Sequence, residues 1–516
     1  MKGSVLVENS SWLVVNKPTG ISTHSAHAGD LGVAEWLALH GDEKVYVCSR
    51  LDKGTSGVLP LARTVEGSAQ AERIHAAGTS RKTYHLVVDQ RPPAASWTEN
   101  DPLDGQPAKT HFFCEQSGGA YYLLRAEIDR GRKHQIRRHA ARAGVPIVGD
   151  DEYGGSSFPR LCLHCSEVDW PGEPSPWKAT MPDSFSALLS SSSQRMVRAH
   201  AALERRGRFL DSASNAYRLI HRGECDGMPV AIDRYGDHLL VTGFDEERTS
   251  QDWLVQLEPI LDLIAVHYGT VGGIIRTQCR DPHRRSLFVD AVTFGQAPDV
   301  SSWVREGGLE VEVMLNDAQH PGLFLDQRDN RRRMGRIASG KRVANLFAFT
   351  ASFSAVAVQS RAEVAFSIDL AQGSLDRGKR TFARNGLNEE GRGKFIAEDV
   401  RSWLARQNRK REREGEIWRG WDLVICDPPV FAGGGRVFSV EKEWLDLAES
   451  VQAILARDGQ ALFCNNHQAG SAKKYQTQLE KCFADVHRIN PPLDFPRIPG
   501  QPEHVRMFWC ANSAAG

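Results

Sequence analysis

Trp421-Asp422-Leu423-Val424-Ile425-Cys426-Asp427-Pro428-Pro429-Val430-Phe431 is the stretch that decides the fold of the C-terminal part. Residues 421–427 form a short apolar run closed by a carboxylate. Two prolines follow, which cannot donate to a strand ladder and so end it. Outward from there, residues 343–349, 363–369, 394–397 and 460–465 share this apolar character, and helical stretches lie between them. Regular strand-helix alternation predicts a mainly parallel, doubly wound, Rossmann-like α/β sheet. Residues 505–510 are expected to close the domain as the last strand. Such a sheet collects its ligands beyond the carboxyl ends of the strands. Asp369, Asp399 and Asp427 stand at three of those ends, in order.

The chain before this sheet reads differently. Residues 1 to about 187 alternate short apolar runs, such as 12–15, 83–88 and 121–128, with Gly, Pro and Asp punctuation. That pattern predicts a sheet-rich α+β domain. Four serines at 190–193 read as a linker, and a basic helical segment follows from Arg195 to Arg208. Residues 209–320 read as a small α+β module. It has a hairpin at 229–234 and 238–243, a helix at 253–266 and strands at 273–276 and 286–292. The expected division is therefore 1–188, 195–320 and 321–516.

At 516 residues one core is not enough. With 64 basic and 64 acidic residues the chain is not a nonspecific polycation. Local basic stretches remain. Arg130–Arg142 and Arg328–Arg336 adjoin motifs and are expected to face RNA, whereas Arg406–Arg413 reads as a solvated helix face. No apolar run is long enough to span a bilayer, and the N-terminus lacks signal-peptide character, so a cytoplasmic protein is expected. The 10 cysteines are scattered. Cys162-x-x-Cys165 lacks a second ligand pair, so a buried strand is expected there and no metal site.

The N-terminal part carries an ordered motif set. Ser49-Arg50-Leu51-Asp52-Lys53-Gly54-Thr55-Ser56-Gly57 puts Asp52 on a Gly- and Thr-rich turn. Asn16-Lys17-Pro18-Thr19-Gly20 precedes it. Lys82-Thr83-Tyr84, Gly131-Arg132-Lys133-His134-Gln135-Ile136-Arg137, a Gly144–Asp150 segment and Arg160-Leu161-Cys162-Leu163-His164 follow. These residues resemble the RluA-type pseudouridine synthase family over about residues 8 to 185. The resemblance implies that the bond from ribose to N1 of uracil breaks and the base rejoins through C5, with no cofactor. It assigns Asp52 as nucleophile or charge stabiliser. Arg137 would keep that carboxylate ionised. Tyr84 would stack on the uracil, its hydroxyl assisting proton removal from C5. Arg50 would fill the space left by the flipped base, Arg132 would grip phosphate, and His134 would join them in binding RNA. The family often has His where this chain has Ser49. Many members also carry an N-terminal RNA-binding domain. Here the catalytic domain begins at once, so target recognition is expected from that domain or from the C-terminal half.

In the C-terminal part, strand one ends in Asn345-Leu346-Phe347-Ala348-Phe349-Thr350. Asp369 is placed to accept hydrogen bonds from a ribose diol, and Asp399 to meet an adenine edge. Pro428 and Pro429 stiffen the loop whose carbonyls, with Phe431, can position a flat base. Together with Gly322-Leu323-Phe324-Leu325-Asp326-Gln327-Arg328 and Asn385-Gly386-Leu387, this half resembles the class I methyltransferases that modify large-subunit ribosomal RNA at guanine N7 or cytosine C5. The resemblance covers about residues 205 to 516. It implies S-adenosylmethionine as cofactor, with Asp326, Phe347, Thr350, Asp369, Asp399 and Asp427 around it, Asp427 also serving catalysis.

Cytosine C5 needs a cysteine to attack C6 first, whereas guanine N7 has a free lone pair and needs only positioning. In Phe463-Cys464-Asn465-Asn466-His467 the cysteine stands one place earlier than in the cytosine enzymes. Asn465 and Asn466 match the guanine enzymes, with Asn465 expected to contact RNA. Guanine N7 is the favoured target and cytosine C5 the alternative. One departure stands out: Thr350-Ala351-Ser352 occupies a turn where methyltransferases usually have glycine, and alanine penalises a positive φ. Two other readings stay open: an isomerase acting on ribosomal or transfer RNA whose C-terminal half only binds RNA, and a non-enzymatic assembly factor. Both motif sets on one chain imply a bifunctional enzyme of large-subunit ribosomal RNA. The sequence is silent on oligomeric state.

Overall fold

The structure is a computed structural model. It describes residues 5–25, 32–40, 45–190, 193–207, 213–278, 288–317, 320–388, 391–429, 431–432, 438–467, 471–498 and 503–512. The chain separates into two compact units. One holds residues 1–212, 219–230 and 259–261, and the other holds 213–218, 231–258 and 262–516. Among the described residues no helix is long and apolar enough to cross a membrane.

The first unit is built on a ten-stranded, largely antiparallel sheet. Its site-bearing strands are β1 (Trp12–Lys17), β2 (Ser56–Ala62), β3 (Arg81–Val88), β4 (Tyr121–Ile128) and β5 (Leu163–Asp169). They lie in the order β1-β2-β5-β3-β4. Helix α1 (Gln135–Arg142) follows β4. Strands β2 and β5 run parallel, Gly57 opposite Cys165. Gly57 has φ +114, and a Cβ there would meet the Cys165 carbonyl oxygen at 2.0 Å, so only glycine lets the two strands close. Cys162 and Cys165 are buried thiols, Cys165 within β5. The basic segment after the serines forms helix α2 (Gln194–Gly207), which falls in this first unit.

The second unit contains the doubly wound sheet. Its strands are β7 (Arg342–Leu346), β8 (Val364–Asp369), β9 (Gly393–Ala397), β10 (Trp421–Cys426), β11 (Leu455–Asn465), β12 (Asp485–Ile489) and β13 (Arg506–Ala511), preceded in the chain by β6 (Gly272–Gln278) of a smaller sheet. The order is β9-β8-β7-β10-β11-β13-β12, parallel except for β13. The last strand falls where the sequence placed it. It inserts beside β11 and leaves β12 at the edge. Alternate residues feed two cores. Val343, Leu423, Ile425, Leu462 and Cys464 face one side, and Ala344, Val424, Cys426, Ala461 and Phe463 the other. Burial on both faces is what makes these strands near-continuous apolar runs. Helices α3 (Arg328–Ile337), α4 (Ser352–Gln359) and α5 (Gln372–Arg384) pack together, and so do α6 (Val400–Glu414) and α7 (Val440–Ile454).

In the smaller sheet, His238–Gly243 runs parallel to β6, and Phe288–Gly295 antiparallel to it. The expected strand start at 286–287 lies outside the described residues.

The expectation of an RNA-facing Arg328–Arg336 stretch fails for its first two arginines, whereas Arg332 and Arg333 are half-buried and Arg336 is exposed. Arg328 and Arg331 are 5% and 1% exposed. Arg328 donates twice to Asp494 (2.6 and 3.0 Å), and Arg331 twice to Glu306 (2.5 and 2.7 Å). A guanidinium withdrawn from water must find a planar acid partner, so these arginines cement the unit. Arg406–Arg413, by contrast, is a solvated face of α6.

Candidate functional site

In the first unit a cavity of about 900 Å³ gathers Arg50, Asp52, Tyr84, Arg132, His134 and Arg137, every residue expected there. Asp52 sits on a turn closed by the Thr55 amide donating to its carbonyl (3.0 Å). The loop is latched from behind by the Asn16–Gly20 motif. Lys17, fully buried, donates from Nζ to the carbonyls of Pro18 (2.9 Å) and Ile21 (2.6 Å). Thr19 Oγ1 donates to the Gly54 carbonyl (2.7 Å), and Gly20 N to that of Lys53 (2.7 Å). Burial pushes the Lys17 ammonium down to about 7, against the opposing charge of Asp52. The sequence reading gave Lys17 no role; a buried cation among carbonyls is invisible until the loop is folded.

The Asp52 carboxylate faces two nitrogen groups. Arg137 Nη1 lies 3.8 Å from Oδ2 and His134 Nε2 lies 3.8 Å from Oδ1. Arg137 is aimed by others: Asp150 accepts from its Nε (2.8 Å) and Nη2 (2.7 Å), and Glu152 from Nη2 (3.0 Å). His134 sits in the left-handed region (φ 55) at the start of α1, its Nδ1 2.9 Å from the Tyr153 hydroxyl. Tyr84 is buried on β3. Burial, the neighbouring Cys165 and the charge of Asp52 push its phenol well up, so at neutral pH it is a hydroxyl and not a phenolate base. That is the form in which the sequence analysis expected it to stack on the base and assist at C5. Lys82, Arg130 and Lys133 also line the cavity. Arg160, read only as part of a pattern, donates to Ser56 Oγ (2.6 Å), which lies 2.9 Å from His164 Nδ1, and so ties β2 to β5.

In the second unit the turn after β7 is unusual. Phe347, Phe349 and Ala351 have φ of 55, 49 and 58, three left-handed non-glycine residues in five. Asp369, at the end of β8, holds this turn: its Oδ2 accepts from Phe349 N (2.8 Å) and its Oδ1 from Ala371 N (2.8 Å). Thr350 is buried and its hydroxyl donates to the Gly322 carbonyl, binding the preceding loop to the turn. Asp399 caps α6, accepting from Ser402 N (3.1 Å) and pairing with Arg401 (3.1 Å).

Asp326 is buried, 3.4 Å from His504 Nε2. Burial alone would raise its carboxyl, but His504, Arg218 and Arg331 together hold it below the usual range. Asp427 behaves oppositely. Burial and the charge of Asp326 push it up to about 7. Gln327, which the sequence reading passed over, links this cluster. Its Nε2 is 3.5 Å from Asp427 Oδ2, and its Oε1 accepts from Asn330 (2.8 Å) and faces the Cys464 thiol (3.6 Å).

Cys464 is fully buried, and its thiol is pushed well up by burial and Asp427. Asn465, expected to contact RNA, is fully buried too, because β11 runs between β10 and β13. Its Nδ2 has no partner among the described residues. Phe431 lies on a two-residue strand, Phe431–Ala432; its side chain is outside the described residues. Strand-end carboxylates in order, a left-handed first turn and an orphaned amide beside Asp427's strand fit an S-adenosylmethionine site.

A fold and site of this kind define an S-adenosylmethionine-dependent methyltransferase joined to a pseudouridine synthase domain. The family model for RNA pseudouridylate synthase matches residues 11–142, and that for S-adenosylmethionine-dependent methyltransferase matches 276–502. The ribosomal RNA large subunit methyltransferase K of Neisseria meningitidis serogroup B is 30% identical over 285 residues, covering 54% of this chain and 77% of that protein. The K/L enzyme of Pseudomonas savastanoi pv. phaseolicola is 38% identical over 166 residues, 32% of this chain and 20% of that one. A solved methyltransferase complexed with SAH is 26% identical, covering 58% of this chain and 76% of its own, with a TM-score of 0.49. Human RNA pseudouridylate synthase domain containing 4 is 21% identical over 36% of this chain and 90% of its own, with a TM-score of 0.32. The chain belongs to the S-adenosylmethionine-dependent methyltransferase family of the Neisseria protein and carries a pseudouridine synthase domain ahead of it.

Proposed function

We propose that this enzyme modifies large-subunit ribosomal RNA twice, isomerising a uridine to pseudouridine and methylating a guanine at N7. The observation that carries the reading is that one chain holds both residue sets, each assembled around its own carboxylate. In the first site, Asp52 attacks or stabilises the sugar or base as the glycosidic bond breaks. Arg137, fixed by Asp150, offsets its charge, and Tyr84 stacks on the freed uracil. Arg50 and Arg132 hold the flipped strand. In the second site, Asp369 and the turn 347–351 hold the cofactor. S-Adenosylmethionine supplies an electrophilic methyl group on a sulfonium.

Methylation of guanine N7 makes a cationic base, and the Asp326–Asp427 pair gives that charge a negative surrounding. Cytosine C5 would instead demand a thiolate. The burial and raised thiol of Cys464 favour the guanine reading. The test is nucleoside mass spectrometry of RNA from cells with and without the gene, with uridines chemically mapped for isomerisation. Loss of one pseudouridine and one 7-methylguanosine from large-subunit RNA is expected. Loss of 5-methylcytosine would move the methylated atom. Loss of pseudouridine alone would leave the C-terminal half as a binding module.

A further inference from the structure

Beside the first turn of the methyltransferase unit stands a ring cluster that the reading above does not use. His320 and Phe324 are stacked, with centroids 3.9 Å apart and planes 26° from parallel. Phe349, in the left-handed turn, closes the cluster at 5.4 Å from Phe324 and 5.7 Å from His320. Phe324 is nevertheless 39% exposed. A phenylalanine held by two rings and still open to water is preorganised rather than merely unburied.

Its mounting is rigid. Arg331 Nη2 donates to the Phe324 carbonyl (2.8 Å), and Gly322 N donates to His320 Nδ1 (3.2 Å). Gly322 has φ +124, and a Cβ there would meet Arg377 Nη2 at 2.1 Å, so the loop lies directly against that guanidinium. Arg377 donates to Asp317 (3.0 Å) and stands 6.0 Å from the Phe349 ring centre. Arg276, from β6, donates to the Asp317 carbonyl (3.1 Å). The Nε atoms of Arg276 and Arg377 are buried without a partner among the described residues.

The charges acting on His320 are those of Arg276, Arg377 and Arg218 against Asp326 alone. Burial first, then those arginines, push its imidazole down to about 3. It therefore stacks as a neutral ring and adds no charge of its own.

We propose that His320, Phe324 and Phe349 form a stacking platform for an unpaired nucleobase of the RNA substrate, braced from behind by the buried arginines. Flat aromatic rings open to water are how proteins hold single-stranded nucleotides, because every base has a π-face. Since Phe349 belongs to the turn assigned to the cofactor, a base on Phe324 lies beside the methyl donor. The platform holds either the target guanine or its stacked neighbour. The inference rests on RNA being the substrate of this half.

The test uses the full chain and a 12-nucleotide oligoribonucleotide carrying 5-bromouridine, irradiated and mapped by peptide mass spectrometry. SAH calorimetry runs in parallel on the wild type, Phe324→Ala and Phe324→Tyr. A crosslink to the peptide spanning residues 320–328 is expected in the wild type and in Phe324→Tyr. It should fall about tenfold in Phe324→Ala, the scale of one stacked base, with SAH affinity unchanged within about twofold. Crosslinks confined to the first-unit cavity would overturn the proposal. So would a loss of SAH affinity in Phe324→Ala, which would give the platform to the cofactor. Neither result depends on which base is methylated, so the platform can fail while the methylation assignment stands.

Discussion

Burial and the charge of Asp326 push Asp427 up to about 7, and that has two consequences at the scale of one residue. An unfolded aspartate titrates near about 4. Between about pH 4 and 7 the folded chain therefore takes up a proton that the unfolded chain does not, and stability declines as pH rises through that window. Asp427→Asn mimics the protonated form. Thermal denaturation should show it stabilised relative to wild type by more at pH 8 than at pH 5; equal shifts at both would refute the shared cluster. In the guanine-N7 reading the ionised form assists, so wild-type methyl transfer should climb through about pH 7, whereas Asp427→Asn should be slow and flat. Asp52→Asn should reduce pseudouridine to background and leave methylation intact, as counted in the same digested RNA; persisting pseudouridine would remove Asp52 from the chemistry. Asp52, Tyr84 and Arg137 were legible in the sequence because each stands in a dense motif of unusual residue types. Gln327 was not, because an amide gains meaning only from the three side chains it links.

At the scale of elements, the first turn of the second unit is held in a conformation its side chains resist. The sequence marked Ala351 as the departure, and its φ of 58 bears out that reading of the backbone. The sequence did not mark Phe347 or Phe349, and the Phe349 amide is held by the carboxylate of Asp369 from the neighbouring strand. Left-handed backbone costs an L-residue roughly 1–2 kcal/mol, part of which glycine returns as unfolded-state entropy. Ala351→Gly should therefore stabilise the unit by about 1 kcal/mol in chemical denaturation and leave SAH binding equal or tighter. Destabilisation would mean that the Ala351 methyl, which is fully buried, outweighs the strain. Strands β7, β8, β10 and β11 were visible as apolar runs because both faces are covered. Strand β12 escaped because Asp485-Val486-His487-Arg488-Ile489, at the sheet edge, has too few apolar residues to stand out.

At the scale of the whole molecule, the chain separates into two compact units whose segments interleave along it. Helix α2 and residues 219–230 belong to the first unit, so a fragment beginning at residue 195 would carry pieces of it. Experiments on either activity therefore belong on the intact chain. The thiols offer a way to keep the units apart there. Cys162 and Cys165 are sealed in the first unit, and Cys426, Cys464 and Cys510 in the second. Burial pushes all five up, so none reacts until its surroundings part. Alkylation of the native protein, read cysteine by cysteine, is thus a pair of independent clocks for local opening. Adding SAH should slow the second clock and leave the first at its original rate; if both slow together, the two units breathe as one body.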